Sequence, residues 1–429
     1  MPPAASAPDH RRGRRRRVST TALLLAAAAL AASSAYAAPA ETSAGTPAAP
    51  APSTHAPSHP PGAPPKHLLR GFDPRVHTTR GDVDVARLKD GRVAVLTLDP
   101  KLQSAMEDLF ARYDVPHGAL VAIEPSSGRV LAFVSYNAGT PHRDGITRGP
   151  DVALDASPPT ASVFKLITAS ALVSEGVEPT RRVCYGGGER ELTAADLRDS
   201  RRRDRACATL RDAIGFSINA IMAKLADRHL TRATLRRFAW AFGFGQAPPF
   251  DVPTHVSKSD IPQSRLERAR AAAGFWHDYM SPLHGALIAA TFANHGRMPR
   301  AQIVERIEDR DGRTLYQRRG RMHRAVISAS IARTVGQMMT RTCSRGTARG
   351  AFYDSAGRPF LPGIEAAGKT GTLTGTDPYR GYNWWVGFAP ADDPKIAVAA
   401  LVVNHPKWRI KASYVAREAL RTYLLGTHD

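Results

Sequence analysis

Residues 119–136, ALVAIEPSSGRVLAFVSY, decide the fold class. Ala119–Glu124 and Arg129–Tyr136 are rich in branched and aromatic residues. Pro125-Ser-Ser-Gly128 separates them, which is the pattern of a β-hairpin. Upstream, Arg92–Leu98 (RVAVLTL) reads as a strand, and Asp99-Pro100 then starts a helix: Asp can cap free N–H groups and Pro suits the first turn. Leu102, Met106, Leu109, Phe110 and Tyr113 fall on one helical face. At the far end, Asn383–Phe388 (NWWVGF) and Ile396–Val403 (IAVAALVV) are strand-like, and an amphipathic helix follows over 412–425. Helical pattern dominates from about 161 to 300. Strands at both ends with helices between predict one sheet built from both termini with a helical insertion. That is an α+β arrangement. No internal repeat is visible.

The chain has 429 residues, 43% of them apolar, which allows a sizeable core and excludes disorder throughout. No interior apolar run reaches the ~20 residues of a spanning helix, so a polytopic membrane protein is excluded. The net charge is +21, which raises a nucleic-acid reading. In the Arg-rich stretch Arg297–Arg345, however, Tyr316 is the only aromatic, and no nucleic-acid-binding motif appears. We read a solvated basic face and no nucleic-acid partner. Three cysteines are too few for a disulfide scaffold. His277, Asp278 and His284 form no metal-binding spacing, so no metal is expected. Phe242–Gly245 (FGFG) lacks the third glycine of a dinucleotide fingerprint and reads as a turn.

The N-terminus is an address. Arg11, Arg12 and Arg14–Arg17 precede ALLLAAAALAA (22–32), and Ala35-Tyr36-Ala37 offers a cleavage site. This is the order of a secretory signal, so 1–37 reads as a signal peptide or, uncleaved, as a membrane anchor. Residues 38–65 are rich in Pro and Ala and read as a semi-extended linker. Residues 66–91 read as an irregular lead-in, and 92–429 as the folded domain. Export implies an oxidising compartment, so Cys184 and Cys207 are expected to pair around a polar, Arg-rich segment; closing that loop adds ~3 kcal/mol on a chain-entropy model. Cys343 is left over as a buried helix residue.

Three motifs carry chemistry. In Ser162-Val-Phe-Lys165 the two polar side chains share one helix face. Ser162 in the first turn faces N–H groups that favour a developing anion. Lys165 can activate it only if burial or nearby positive charge destabilises its ammonium. Ser217-Ile-Asn219 lies within a helical stretch, Thr209–Arg228. Its hydroxyl can pass a proton between leaving group and Lys165, and its amide can orient lysine and substrate. In Lys369-Thr-Gly371, followed by Thr372, the glycines around K-T argue for close backbone approach to a ligand. Lys369, Thr370 and Thr372 can anchor a substrate carboxylate. The backbone N–H groups of Thr372 and Ser162 can form an oxyanion hole.

S-x-x-K, then S-x-N, then K-T-G is the motif order of penicillin-binding proteins and class A β-lactamases. The chain resembles the penicillin-binding transpeptidase domain, in the β-lactamase/transpeptidase superfamily. LTLDPKLQSAMEDLF (96–110), GALVAIEPSSGRVLAFVS (118–135), MSPLHGALIAATFANHGR (280–297), VERIEDRDGRTLY (304–316), GKTGT (368–372) and NWWVGFAP (383–390) resemble segments of that family. The likeness spans roughly 92–425 and implies an antiparallel sheet flanked by helices, with a helical lobe that contributes Ser217 and Asn219. It implies attack of Ser162 on the penultimate D-Ala carbonyl of a peptidoglycan stem peptide. D-Ala departs, and an amine or water then resolves the acyl-serine. No cofactor is needed. Stem peptides and β-lactam antibiotics are the implied ligands, and proteins of wall synthesis are candidate partners. The implied place is outside the cytoplasm, in the periplasm or on the outer face of the membrane. Ala161 stands where the family usually has a glycine or other small residue, and the chain ahead of residue 92 leaves no room for a glycosyltransferase. Two other readings stay open. A class A β-lactamase would need a Glu-containing loop, and no E-x-x-L-N segment lies between Asn219 and Lys369. The other is a non-catalytic wall scaffold or antibiotic sensor.

Overall fold

The computed structural model describes residues 62–139, 149–189 and 191–426. The signal segment and most of the expected linker lie outside these residues. In chain order come β1 (Thr78–Arg80), β2 (Val83–Arg87), β3 (Val93–Leu96), α1 (Pro100–Tyr113), β4 (His117–Ile123) and β5 (Val130–Asn137). A short 3₁₀ turn, Ala161–Phe164, leads into α2 (Lys165–Ser174), followed by β6 (Arg182–Tyr185), β7 (Ala206–Thr209), α3 (Leu210–Gly215), α4 (Asn219–His229) and α5 (Arg232–Ala241). Next are β8 (Lys258–Ser259), α6 (Arg265–Ala272), β9 (Asp278–Tyr279), α7 (Pro282–Ala293) and β10 (Arg297–Pro299). The chain ends through β11 (Val304–Glu308), β12 (Thr314–Gln317), β13 (Met322–Ala325), α8 (Ala329–Ser344), α9 (Arg349–Phe352), β14 (Ala367–Thr376), β15 (Tyr379–Ala389), β16 (Ile396–Asn404) and α10 (Ala412–Leu425).

The central sheet has the order β14-β15-β16-β4-β5 and is antiparallel throughout. The predicted N-terminal hairpin therefore joins the C-terminal strands edge to edge. Ala119, Val121 and Ile123 pack on one face with Trp384, Val386 and Ala399, beneath α2, α7 and α8. Leu120 and Ala122 pack on the other with Trp385, Val398 and Ala400, beneath α1 and α10. Both faces are dry, which is why these strands read as continuous apolar runs instead of alternating ones. The α1 cap is also as read: Asp99 accepts from Leu102 N at 2.9 Å, with Pro100 at the first position.

Two expectations are corrected. The lead-in 66–91 is not irregular. β1 and β2 begin a second antiparallel sheet, β1-β2-β3-β11-β12, and Leu68, Val85, Ala86 and Leu88 are buried. A buried acid hid the strand signal in VDVAR: Asp84 is 1% exposed, bonded to Thr79 Oγ1 at 2.7 Å, in mid-strand. The strand Arg92–Leu98 belongs to this second sheet, so the termini build two sheets where one was expected. α3–α6 form the predicted helical lobe, which also carries the ribbons β6-β7 and β8-β9.

The sheet reaches the 3₁₀ turn directly. Trp384 Nε1 donates to Pro159 O at 2.8 Å, both groups buried. Trp384→Phe leaves that carbonyl without its donor and should cost about 1–3 kcal/mol in denaturant unfolding. A loss below ~0.5 kcal/mol would mean that another donor replaces the indole.

Candidate active site

Ser162, Lys165, Ser217, Asn219 and Lys369 converge where the helical lobe meets the β14 edge of the central sheet. Lys165 opens α2, a helix whose first eight residues are all buried, and is itself inaccessible. Its Nζ lies 2.7 Å from each of Ser162 Oγ, Asn219 Oδ1 and Ala273 O. Burial pushes its pKa well below the usual lysine value, and the nearby Lys369 charge adds to this. A neutral amine has two N–H groups and one lone pair. Two of its three neighbours, Asn219 Oδ1 and Ala273 O, are carbonyl oxygens that can only accept. The N–H groups are thus committed to them, and the lone pair is left for the Ser162 hydroxyl proton. After transfer, the ammonium keeps three acceptors.

The nucleophile turn is strained. Ala161 has φ of +49°, a left-handed conformation unusual for a residue with a Cβ. Its surroundings hold it there. Gly274 approaches so closely that a Cβ on it would lie 2.2 Å from Ala161 O. From the other side, a Cβ on Gly371 would sit 3.1 Å from Thr160 O and 3.2 Å from Ala161 Cβ. The K-T-G glycine therefore admits the nucleophile turn, a protein neighbour, where a ligand was expected. The same contact sets Thr372 beside Ser162.

The helix expected over Thr209–Arg228 is broken. Thr209 and Asp212 form a capping box at α3, and α3 stops at Gly215. Gly215 O accepts from Thr347 N at 3.1 Å, so the α8–α9 connection packs where the helix would continue. Ser217 turns the chain at φ +59°, and Asn219 starts α4. The break lets both side chains of the motif face the cleft. Lys369 Nζ donates to Ser217 Oγ at 3.0 Å and to Thr370 O at 2.8 Å. Burial lowers its pKa to about 7.

Three contributors carry no sequence signal of their own. Ala273 contributes a backbone carbonyl, which no side-chain motif encodes. Thr347 Oγ1 is 2.5 Å from Thr370 Oγ1. Asn383 Nδ2 donates to Thr372 Oγ1 at 3.0 Å, while its Oδ1 accepts from Ala412 N at 2.7 Å. Cys184 and Cys207 are disulfide-bonded across β6-β7, and Cys343 is buried in α8. His284 is buried, its pKa lowered to about 4 by desolvation, with Nε2 2.8 Å from Phe242 O. His277 pairs with Glu267, and Asp278 Oδ1 accepts from Ser259 Oγ. Among the described residues, no cluster of potential metal ligands occurs.

The penicillin binding protein transpeptidase domain matches residues 118–423. The peptidoglycan D,D-transpeptidase PbpA of Mycobacterium tuberculosis is 29% identical over 371 residues, covering 79% of this chain and 72% of its own. Stage V sporulation protein D of Bacillus subtilis is 27% identical over 341 residues, 75% of this chain and 51% of its own. The crystal structure of PBPA from M. tuberculosis superposes with a TM-score of 0.65 at 26% identity, covering 77% of this chain and 81% of that one. Its imipenem acyl-enzyme complex gives 0.65 at 25%, covering 77% and 79%.

Lys369→Met tests the electrostatics of the site. Folding must carry a buried ammonium below the folded pKa of about 7. Between there and 10.5 the unfolded chain binds the extra proton, so the wild-type stability deficit shrinks as pH rises. The variant should be more stable by about 1–3 kcal/mol below pH 7. The gain should fade toward pH 10.5 in a pH series of thermal unfolding. A gain independent of pH would refute the burial argument.

Proposed function

The chain belongs to the penicillin-binding protein transpeptidase family, and on that premise we propose how its residues carry the chemistry. It is a serine-type peptidoglycan D,D-transpeptidase or carboxypeptidase that acts on D-Ala-D-Ala stem peptides through an acyl-serine and is inhibited by penicillin. The observation that carries the proposed roles is the buried Lys165 Nζ, 2.7 Å from Ser162 Oγ and from two oxygens, Asn219 Oδ1 and Ala273 O, that can only accept.

Lys165 takes the hydroxyl proton as Ser162 Oγ attacks the penultimate D-Ala carbonyl. The backbone N–H groups of Ser162 and Thr372 hold the tetrahedral oxyanion. Ser217, bonded to Lys369, relays the proton from Lys165 to the departing D-Ala nitrogen. Lys369, Thr370 and Thr372 hold the terminal carboxylate, and Gly371 keeps that strand against the nucleophile turn. Asn219 orients Lys165 and the substrate amide. An amine of a second stem peptide, or water, then resolves the ester, with Lys165 again as base.

Peptidoglycan lies outside the cytoplasmic membrane, and the enzyme works there. Residues 1–37 support a finer reading, a cleaved signal of a periplasmic enzyme or an anchor on the outer face of the cytoplasmic membrane. Other wall-synthesis proteins are the partners such a tether suits. No helix of the described residues is long and apolar enough to cross a membrane.

Ser162→Ala should abolish covalent labelling by fluorescent penicillin, and Lys165→Ala should nearly do so with the fold kept. Wild-type labelling should slow at acid pH, because protonation removes the Lys165 lone pair. Persistent labelling of the Ser162 variant would sink the assignment.

The penicilloyl adduct should survive for many minutes. Among the described residues, no carboxylate is hydrogen-bonded to Ser162, Lys165, Ser217 or Asn219, so none is in place to activate water. Time-resolved mass spectrometry reads this directly. Loss of the adduct within seconds, with free penicilloate accumulating, would make the protein a β-lactamase.

A further inference from the structure

Asn219 receives its orientation from outside the three motifs. A carboxamide has an oxygen at one corner and an NH₂ at the other, and a flip exchanges them. Flipped, Asn219 would turn its NH₂ toward the Lys165 amine and its oxygen toward another carbonyl. The contact that forbids this is Glu189 O, which accepts from Asn219 Nδ2 at 2.8 Å. Glu189 lies in the segment between β6 and β7, which Cys184–Cys207 closes.

The same segment is also tied to α6, past whose end lies the other carbonyl near Lys165. Leu192 O accepts from Arg270 Nε at 3.0 Å and Nη2 at 2.6 Å. Arg270 lies in the last turn of α6, three residues before Ala273, whose carbonyl meets Lys165 Nζ. Lys224, a fully buried residue of α4, clamps the segment from below. Its Nζ donates to Cys184 O at 2.9 Å and to Asp204 Oδ2 at 2.6 Å, and it reaches Asp199 Oδ1 at 3.5 Å. Tyr185, Gly187, Gly188 and Glu189 also line a cleft of about 630 Å³ with Ser217 and Asn219.

We propose that the disulfide-closed segment 185–206 is a positioning element for acylation: through Glu189 O and Leu192 O it sets both carbonyl acceptors on the general base. This rests on the reading of Lys165 as that base. A bond that served stability alone would leave the geometry around Lys165 unchanged when removed. A positioning bond changes the rate per folded molecule and its pH dependence.

The full chain carrying Cys184→Ser and Cys207→Ser together, and a second variant, Gly188→Ala, separate the two roles. Gly188 has φ +76°, and a Cβ there would lie 2.9 Å from Ala220 Cβ and 3.0 Å from Leu192 Cδ2, so the substitution shifts the Glu189 backbone while keeping the disulfide and replacing no catalytic residue. Stopped-flow penicillin acylation is measured against pH and normalised to folded protein by circular dichroism. Both variants should acylate roughly 10–100-fold more slowly, the scale of a misplaced catalytic group. The acid limb should move to higher pH, because a loosened segment admits water to Lys165 and relieves the burial that lowers its pKa. Rates and limbs within about twofold of wild type would overturn the proposal. If the double variant does not fold, Gly188→Ala decides alone. Absence of labelling in wild type would instead strike the functional reading beneath it.

Discussion

Everything in this site depends on keeping one lysine dry. An exposed lysine holds its proton at neutral pH and is useless as a base for serine. Lys165 holds it far less tightly because α2 is sunk between the central sheet and the helical lobe, which leaves the amine inaccessible. The architecture serves that end. The sheet must be buried on both faces, and the lobe must close from the side opposite β14. The helix bearing Lys165 must also start in the core, where most helices start at the surface.

Burial alone would give an amine aimed at random. Direction comes from two carbonyl oxygens, one on a side chain and one on the backbone, which use up the N–H groups. Lys369 meets the same problem from the other side. It is equally buried and its hydrogen bonds go to Ser217 and to its own strand. Burial lowers the hold of both amines on a proton, and the Lys369 charge lowers that of Lys165 further. The site thereby trades folding free energy for a reactive amine, a common pattern where stability and activity compete.

The central strands, the flanking helices and the three motifs were legible in the sequence because their signals are local. A continuous apolar run marks a strand covered on both faces, and a fixed spacing puts Ser162 and Lys165 on one side of a turn. What was not legible is carried by backbone or by long range. β2 was missed because buried Asp84 interrupts its apolar pattern and is satisfied by Thr79. Ala273 and Glu189 act through carbonyls that any residue supplies. Asn383 reaches Thr372 only because β15 pairs with β14 in one register.

The break between α3 and α4 is the most instructive miss. By periodicity Thr209–Arg228 is a good helix, since Leu210, Ile214, Ile221, Met222 and Leu225 mark one apolar face. A continuous helix would keep Ser217 and Asn219, two residues apart, from facing the same direction. Packing of the α8–α9 connection on Gly215 ends the helix, and Ser217 takes a left-handed conformation at a cost of order 1–3 kcal/mol. Ala161, beside the nucleophile, takes one as well. Local preference is overruled at the two points where a hydroxyl is turned toward Lys165 or Lys369. Asp90, Asp114 and His295 also take positive φ away from the site, so strain points to the chemistry only together with the motifs.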